Sequence, residues 1–476
     1  MGDSLMWCWF PGQSVMFRYS SQCLQCLQCL QCLLCSLRRI GRFTTDTNTN
    51  TATNTLLWAL LVFLIHFPVA GLAREAVTET LQIDRDTEAT LTIFPADGEQ
   101  LLIWIPNHAT PAETVANIAR QLQQLKVEVW FIDLLEAHFL PKTGSSDYKI
   151  PDSDIYHLLR HAQKVRNKTI FVYTEGNTTI PVLQGLRLWQ QSASNHKNFG
   201  GVLLNSPYFY LETPDPGLLP VLMPIVSNTN LPIYLVQPEQ SPRYWQLKKT
   251  IPALEKSGSD VFVRVLKNMR GRFHFRPDAT EAEAEFTRRF GQVIFQSMQL
   301  LNSVNHKPRV AATAALPAVN IRDGKKDRYL QAYRGDTEPP PLKLLALNGA
   351  NIDLKQFRNR VVLVNFWATW CPPCVHEMPS MQRLRKKLID DPFVMLGVNI
   401  AEDKSTVEAF LQTKINVDFP ILMDFDGQAL RQWNVMAFPT SFVIDKQGKI
   451  RYALFGSIEW DTPEIINKLE TLIEEN

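Results

Sequence analysis

Two cysteines separated by two prolines, Cys371 and Cys374, are the residues of this chain best suited to chemistry. They follow an apolar run over residues 361–367, which predicts a buried strand, and they precede a stretch typical of a helix. Cys371 is therefore expected at the strand-to-helix junction, with Cys374 one turn into the helix. Backbone N–H groups and the helix dipole favour a thiolate there, and the thiolate is the species that attacks a disulfide. The spacing predicts a dithiol in which Cys371 attacks and Cys374 resolves the mixed disulfide.

A zinc site is the alternative explanation of this Cys-x-x-Cys pair. Zinc would require a second pair of Cys or His ligands. The other cysteines all lie within residues 8–35, ahead of an apolar segment that separates them from the rest of the chain. We therefore favour the redox interpretation and expect neither a metal nor a cofactor.

Two further residues fit a dithiol. Glu377 follows Cys374 by three residues and so shares its face of the expected helix. A partly buried carboxylate there could take and return the proton of the resolving cysteine, whereas a solvated glutamate on the helix surface is the alternative. Far downstream, Pro439 precedes an apolar strand over residues 441–445, a position where a cis-Pro in a tight turn would fit.

These stretches resemble the thioredoxin-like domain of the TlpA/ResA family of membrane-tethered disulfide reductases, over residues 338–476. The matching motifs are VLVNFWATW, then WCPPC, then HEMP, and further on FPTSFVID. The resemblance implies that Cys371 and Cys374 form the redox-active disulfide and that Glu377 tunes their thiols. It also implies a substrate-binding surface, with the proline in cis. The residues expected on that surface are Trp370, Phe438 and Pro439.

The remaining composition limits the classes of function. The chain has 476 residues and a formal net charge of +2, which does not indicate a nucleic-acid partner. Its length indicates more than one domain.

A Cys-Leu-Gln triplet repeats within residues 20–36. Such a ladder could hold an iron–sulfur cluster or zinc, but an identical triplet is more typical of a low-complexity tract.

An apolar segment over residues 56–73 carries no fixed charge and follows Arg38, Arg39 and Arg42. This pattern predicts a bacterial export signal with cleavage near Ala73. The segment is also just long enough to remain as a membrane anchor, and a buried core helix is a third interpretation. The preceding positive charge places the rest of the chain on the periplasmic side of the inner membrane, tethered or released. Cleavage would leave a chain whose two cysteines are the catalytic pair, which suits an oxidising compartment.

Strands and helices alternate between residues 90 and 302, which predicts a mainly parallel sheet covered on both faces. This layout resembles the α/β-hydrolase fold. That fold carries a G-x-S-x-G turn after a strand, which here would follow Tyr173. Glu175 stands at the expected place of the serine, Glu239 at that of the acid and His274 at that of the histidine.

An acid and a histidine without a nucleophile do not make a triad, so this domain is expected to be non-catalytic. The fold class expected is therefore α/β, with an α/β-hydrolase-like domain followed by a thioredoxin-like domain. The expected segments are residues 1–55, of low complexity; 56–73, signal or anchor; 74–302, hydrolase-like; 303–337, linker; and 338–476, thioredoxin-like.

The function expected is that of an extracytoplasmic thiol–disulfide oxidoreductase. It would reduce disulfides in exported Cys-containing proteins and be recycled by a membrane thiol-electron donor, an inference that rests on the family resemblance. Two alternatives stay open: a hydrolase with an accessory redox domain, and an α/β domain that binds a client and presents it to the dithiol.

Overall fold

The computed structural model of the protein describes residues 4–10, 13–19, 74–192, 198–210, 218, 220–304, 309–313, 315–317 and 329–475. The expected signal or anchor at 56–73 and the Cys-Leu-Gln repeat lie outside these residues. None of the helices within them combines the length and apolarity that a membrane crossing requires. The chain divides into two compact units, 1–72 and 73–476. The first contains an antiparallel pair of strands, β1 (Ser4–Phe10) and β2 (Gln13–Tyr19).

The second unit begins with an eight-stranded sheet in the order β10-β9-β8-β7-β5-β6-β4-β3. Strands β5 to β10 are parallel, while β3 and β4 join one edge in antiparallel fashion. The parallel sheet predicted for this region is thus confirmed. Its strands are β3 (Val77–Gln82), β4 (Glu88–Phe94), β5 (Gln100–Ile105), β6 (Val127–Ile132), β7 (Thr169–Glu175), β8 (Phe199–Asn205), β9 (Ile233–Gln240) and β10 (Val261–Arg270).

Helices cover both faces of this sheet and divide its core into two layers of buried side chains, because the central strands are apolar on both faces. One layer contains Ile103 and Leu204, and the other contains Leu102 and Leu203. The helices are α1 (Ala112–Gln124), α2 (Leu134–Ala137), α3 (Asp152–Val165), α4 (Thr179–Ser192), α5 (Leu247–Lys256), α6 (Glu281–Arg288) and α7 (Phe290–Val304).

A second sheet follows, in the order β11-β18-β17-β14-β15-β16-β12-β13. Every residue of β14 is buried, as expected for a central strand that is apolar on both faces. It pairs in parallel with β15 and antiparallel with β17. The strands are β11 (Gln331–Ala332), β12 (Lys343–Ala346), β13 (Asn351–Asp353), β14 (Val361–Trp367), β15 (Phe393–Ile400), β16 (Ile421–Asp424), β17 (Thr440–Ile444) and β18 (Ile450–Phe455).

Four helices pack on the second sheet, and the first of them starts directly after the loop that leaves β14. They are α8 (Pro372–Lys387), α9 (Lys404–Thr413), α10 (Gln428–Gln432) and α11 (Pro463–Glu474). A proline at the first position of α8 is compatible with helix initiation, because the missing N–H would have no helical partner there.

Both ends of the expected linker, residues 303–337, are attached to a folded domain. The carbonyl of Val310 accepts a hydrogen bond from Asn230 Nδ2, and that of Ala312 from Arg187 Nη2. At the other end, β11 pairs with the edge strand β18. Described residues within the expected linker therefore lie against the first sheet domain or form part of the second.

Candidate active site

Cys371 and Cys374 lie where the sequence predicts them, between the end of β14 and the first turn of α8. Cys371 is the N-cap residue of α8. The two sulfur atoms form a disulfide, with the Cα atoms 5.3 Å apart. The backbone N–H of Cys374 points at Cys371 Sγ, at an N···S distance of 3.3 Å. Cys371 is 4% exposed and Cys374 fully buried, so the first cysteine is the more accessible one.

This placement favours a thiolate on Cys371 after reduction. The free N–H groups of the first helical turn and the positive end of the helix dipole both stabilise negative charge at an N-cap. A cysteine in that position has its thiol pKa lowered and reacts as a nucleophile.

Among the described residues, no three His, Cys, Asp or Glu side chains come together as a metal site would require.

Glu377 lies on the inner face of α8 and is 1% exposed, so the alternative of a solvated helix glutamate is wrong. Asn365 Nδ2 donates to its Oε1 over 2.8 Å, and Trp460 Nε1 donates to its Oε2 over 3.1 Å. Burial raises the pKa of Glu377 to about 8, since desolvation outweighs the hydrogen bonds from Asn365, Trp460 and the backbone of Ile458, which favour the ionised form.

The two side-chain partners of Glu377 come from separate elements, and each also binds a serine hydroxyl. Asn365 lies on β14 and also donates to Ser441 Oγ on β17, over 2.9 Å. Trp460 lies in the loop before α11, and its backbone N–H donates to Ser380 Oγ on α8. Our sequence analysis missed both Asn365 and Trp460, although a lone asparagine within an otherwise apolar buried strand is a signal for a buried polar partner.

A second buried carboxylate, Glu402, also escaped the sequence analysis. It follows β15 and accepts hydrogen bonds from the backbone N–H of Thr369 over 2.7 Å and from the Thr369 hydroxyl. Asn399 Nδ2 donates to the same side chain over 2.8 Å. Burial is the largest influence on Glu402 and raises its pKa. Glu402 therefore anchors the loop that leads from β14 to Cys371.

The three residues expected on the substrate side come from two loops that meet. The Phe438-Pro439 peptide bond is cis. The rings of Trp370 and Phe438 are 5.5 Å apart in an edge-to-face arrangement. Thr440 pairs with Phe366 in the ladder between β17 and β14, which brings Pro439 to the end of the strand that leads to the cysteines.

The first sheet domain does not bring the hydrolase-like residues together as a triad. At the turn after β7, the left-handed residue is Gly176, with φ of 63°, while Glu175 is extended and ends the strand. The expectation that Glu175 stands at the nucleophile turn is therefore wrong by one position: the turn falls on Gly176. His274 Nε2 lies 3.1 Å from Glu175 Oε2. Glu239 instead accepts from the backbone N–H of Asn268 over 3.0 Å.

Comparison with known proteins identifies similarities in the second sheet domain. A family model described as Redoxin matches residues 312–469. The thiol-disulfide oxidoreductase ResA of Geobacillus kaustophilus (strain HTA426) is 37% identical over 119 residues, which are 25% of this chain and 68% of that protein. ResA of Bacillus subtilis (strain 168) is 32% identical over 138 residues, covering 29% of this chain and 75% of that protein.

A solved structure with a matching region is described as a putative thiol:disulfide interchange protein DsbE from Chlorobium tepidum. It is 28% identical and covers 30% of this chain and 96% of its own, with a TM-score of 0.26.

Proposed function

We propose that this chain, which belongs to the ResA family of thiol-disulfide oxidoreductases, uses the dithiol of Cys371 and Cys374 to reduce disulfides in exported proteins. Its enzyme class follows from the family membership, and Cys-containing proteins are the substrates that this class implies. The roles of individual residues, the direction of electron flow and the location are our proposals. The observation that carries the roles of the two cysteines is the more accessible Cys371 at the N-cap of α8, with the buried Cys374 one turn behind it. The direction of electron flow and the location rest on the family resemblance and on the apolar segment at residues 56–73.

Reduction proceeds in two exchanges. The Cys371 thiolate attacks one sulfur of the substrate disulfide, forming a mixed disulfide and releasing the first substrate thiolate. The Cys374 thiolate then attacks Cys371 Sγ, which breaks the mixed disulfide and releases the second substrate thiolate. Two electrons have passed from the dithiol to the substrate, and the enzyme is left as the disulfide. A membrane thiol-electron donor restores the dithiol.

Glu377 assists the second exchange. A carboxyl group with a pKa of about 8 matches an ordinary thiol pKa closely, so a proton can pass between them at little cost in either direction. Glu377 and Cys374 are three residues apart on α8 and share its inner face. The carboxylate accepts the Cys374 proton as that thiol becomes a nucleophile and returns it when the enzyme is reduced again.

The substrate binds over Trp370, Phe438 and Pro439, whose loops meet beside Cys371. The chain acts on the periplasmic side of the inner membrane, where residues 56–73 serve as an anchor or as a signal cleaved near Ala73. The absence of spare cysteines after residue 73 suits this oxidising compartment.

The first sheet domain, residues 74–302, is α/β-hydrolase-like and binds the protein substrate without cleaving it. Gly176 occupies the turn after β7 and offers no side chain for nucleophilic attack. The nearby Glu175 is 4% exposed, and its carboxylate accepts from the Thr110 hydroxyl over 2.5 Å. It is thus engaged within the protein. Residues 303–337 connect this domain to the thioredoxin-like domain, 338–476.

A trapping experiment tests the assignment of the two cysteines. In the full chain, Cys374→Ala leaves the mixed disulfide unresolved, so incubation of the reduced variant with a disulfide-containing protein should accumulate a covalent adduct. Mass spectrometry should place the link at Cys371, and dithiothreitol should release it. The matched variant Cys371→Ala should form no adduct through Cys374. An adduct of equal yield in Cys371→Ala would overturn the assignment.

A further inference from the structure

A short segment of the first sheet domain packs against the second. Residues 244–246 form a single helical turn between β9 and α5. The ring of Tyr244 packs on the apolar layer of the first domain that contains Ile103. The ring of Trp245 packs instead on the apolar layer of the second domain that contains Trp433. The two neighbouring rings, whose centres are 4.8 Å apart, therefore belong to different cores, and they join the two domains at this turn.

Trp245 contacts α10 at both of its ends. At the N-cap, a Cβ atom on Gly427 would lie 2.5 Å from the indole ring, so the ring occupies the space that a side chain at this position would need. In the last turn, the guanidinium of Arg431 lies 4.9 Å from the ring centre. A cation at that distance from an indole face is attracted by the negative charge of the ring face. The first sheet domain is thus attached to the whole of this short helix.

The helix α10 is itself fixed to the sheet of the redox domain. The carboxylate of Asp424, the last residue of β16, accepts hydrogen bonds from the backbone N–H groups of Ala429, over 3.1 Å, and Leu430, over 2.9 Å. Directly after the helix, the buried ring of Trp433 lies 5.6 Å from the ring of Phe366 on β14. These contacts restrict α10 at its start and at its end, so it forms a firm base for the loop that follows.

The loop after α10 leads to the residues expected on the substrate side. The backbone N–H of Val435 donates to the carbonyl of Leu430 over 3.0 Å, so the loop folds back on the helix. Gln246 Nε2 lies 4.0 Å from Met436 Sδ, which places the turn of the first sheet domain against the loop itself. Two residues further on, Phe438 begins the cis peptide bond. The turn therefore contacts both the helix and the loop that carry the proposed substrate surface.

We propose that Trp245 is a positioning residue, through which the first sheet domain holds the loop of Phe438 and Pro439 in the conformation that binds substrate. This proposal rests on the proposed function, in which that loop contacts the protein substrate. A loop that adopts its binding conformation for only part of the time binds its ligand more weakly by the same fraction. Loss of the Trp245 ring should therefore weaken substrate binding, while the thiol exchange on α8 keeps its rate.

Single-turnover kinetics test this proposal. The reduced full chain is mixed with an excess of a cyclic peptide closed by one disulfide, and alkylation followed by mass spectrometry measures oxidation of the dithiol. Trp245→Ala should raise the half-saturating peptide concentration about three- to tenfold, as expected for the loss of ring packing and of a cation–π contact, with the maximal rate within about twofold. Trp245→Phe keeps an aromatic face and should recover most of this loss. Oxidation by 2-hydroxyethyl disulfide, which is too small to depend on the loop, should keep its rate in both variants.

Two further variants keep the test independent of how well Trp245→Ala folds. Arg431→Gln removes the cation beside the indole ring and should raise the half-saturating concentration about two- to fivefold. The matched control is Phe139→Ala, which removes a ring of the first sheet domain that is 97% exposed and should leave that concentration unchanged. Hydrogen–deuterium exchange of residues 434–438 should be faster in Trp245→Ala and Arg431→Gln than in the wild-type chain and in Phe139→Ala.

An unchanged half-saturating concentration in both Trp245→Ala and Arg431→Gln would overturn the proposal, as would a rise without faster exchange in residues 434–438. Equal losses of rate with the peptide and with 2-hydroxyethyl disulfide would also overturn it, because Trp245 would then act on the dithiol and not on the substrate loop. A wild-type dithiol that neither disulfide oxidises would contradict the proposed function instead, and the exchange of residues 434–438 would still test the positioning role.

Discussion

The indole Nε1 of Trp460 donates a hydrogen bond to Oε2 of Glu377, across a buried contact between the loop before α11 and the redox-active helix. Asn365 donates to the other carboxylate oxygen. The carboxylate is thus fixed from two sides beneath the dithiol-bearing turn, while burial keeps its pKa at about 8. This arrangement has consequences for stability as well as for redox chemistry.

The first consequence is a loss of stability as the pH rises. Because the pKa of Glu377 is raised from 4.5 to about 8 on folding, the folded state binds more protons than the unfolded state between these values. The free energy of unfolding should therefore decrease over that range. At about 1.4 kcal/mol per pKa unit, the wild-type chain should lose roughly 4 kcal/mol relative to Glu377→Gln by pH 8. Denaturant unfolding at a series of pH values measures this difference.

The control for that series is Glu470→Gln, which changes an exposed glutamate on α11. Its unfolding free energy should follow that of the wild-type chain at every pH. Parallel curves for Glu377→Gln and the wild-type chain would show that Glu377 does not titrate above its ordinary range.

The second consequence concerns Trp460→Phe. This change removes a hydrogen bond that favours the ionised carboxylate, so the pKa of Glu377 should rise above about 8. The pH at which resolution of the mixed disulfide reaches half its maximal rate should rise with it. Stopped-flow measurement of resolution at several pH values tests this. A downward shift would mean that the indole N–H does not stabilise the carboxylate.

The third prediction concerns the loop before Cys371. Glu402→Gln leaves one of the donors around Glu402 without an acceptor, which should lower the unfolding free energy by about 1–3 kcal/mol. The loop carrying Thr369 should also loosen, so alkylation of reduced Cys371 by iodoacetamide should change in rate and in its pH profile. Glu408→Gln removes a surface ion pair with Lys404 and should change stability by less than about 1 kcal/mol. Identical behaviour of the two variants would contradict the positioning role of Glu402.

The fourth prediction concerns the contact between the two sheet domains. A Cβ atom on Gly427 would lie 2.5 Å from the ring of Trp245, and Gly427 has φ of 64°. Gly427→Ala should therefore destabilise the chain more than Gly349→Ala, where φ is 90° but no atom lies within 4 Å of the added carbon. Adding Trp245→Ala should recover part of the loss in Gly427→Ala, which a double-mutant cycle measures. Strict additivity would show that the two residues do not touch in solution.

The redox centre could be predicted from the sequence because its determinants are local. An apolar strand, a Cys-Pro-Pro-Cys motif and a helical pattern follow one another within about thirty residues. Each restricts the backbone of the next, so the positions of Cys371 and Cys374 relative to β14 and α8 follow from order alone.

The surroundings of the dithiol could not be predicted in the same way. Trp460 lies 83 residues from Glu377 in the sequence, and Glu402 lies 33 residues from Thr369. Such contacts depend on how helices and strands pack against one another, and the order of apolar and polar residues along the sequence does not predict that packing. In the first sheet domain, the turn after β7 was expected at Glu175 but lies one residue later. The alternation of strands is clear, but the turn falls on Gly176 because that residue adopts a left-handed backbone at no steric cost.

The reduction potential of the Cys371–Cys374 couple tests the central claim most directly. The full chain is equilibrated in dithiothreitol or glutathione buffers of known potential, alkylated, and analysed by mass spectrometry of the peptide that contains both cysteines. A reductant of exported proteins should give a two-electron transition below about −200 mV, which Cys371→Ser abolishes. A transition near −120 mV, roughly that of a strong oxidant, would contradict the proposed direction of electron flow.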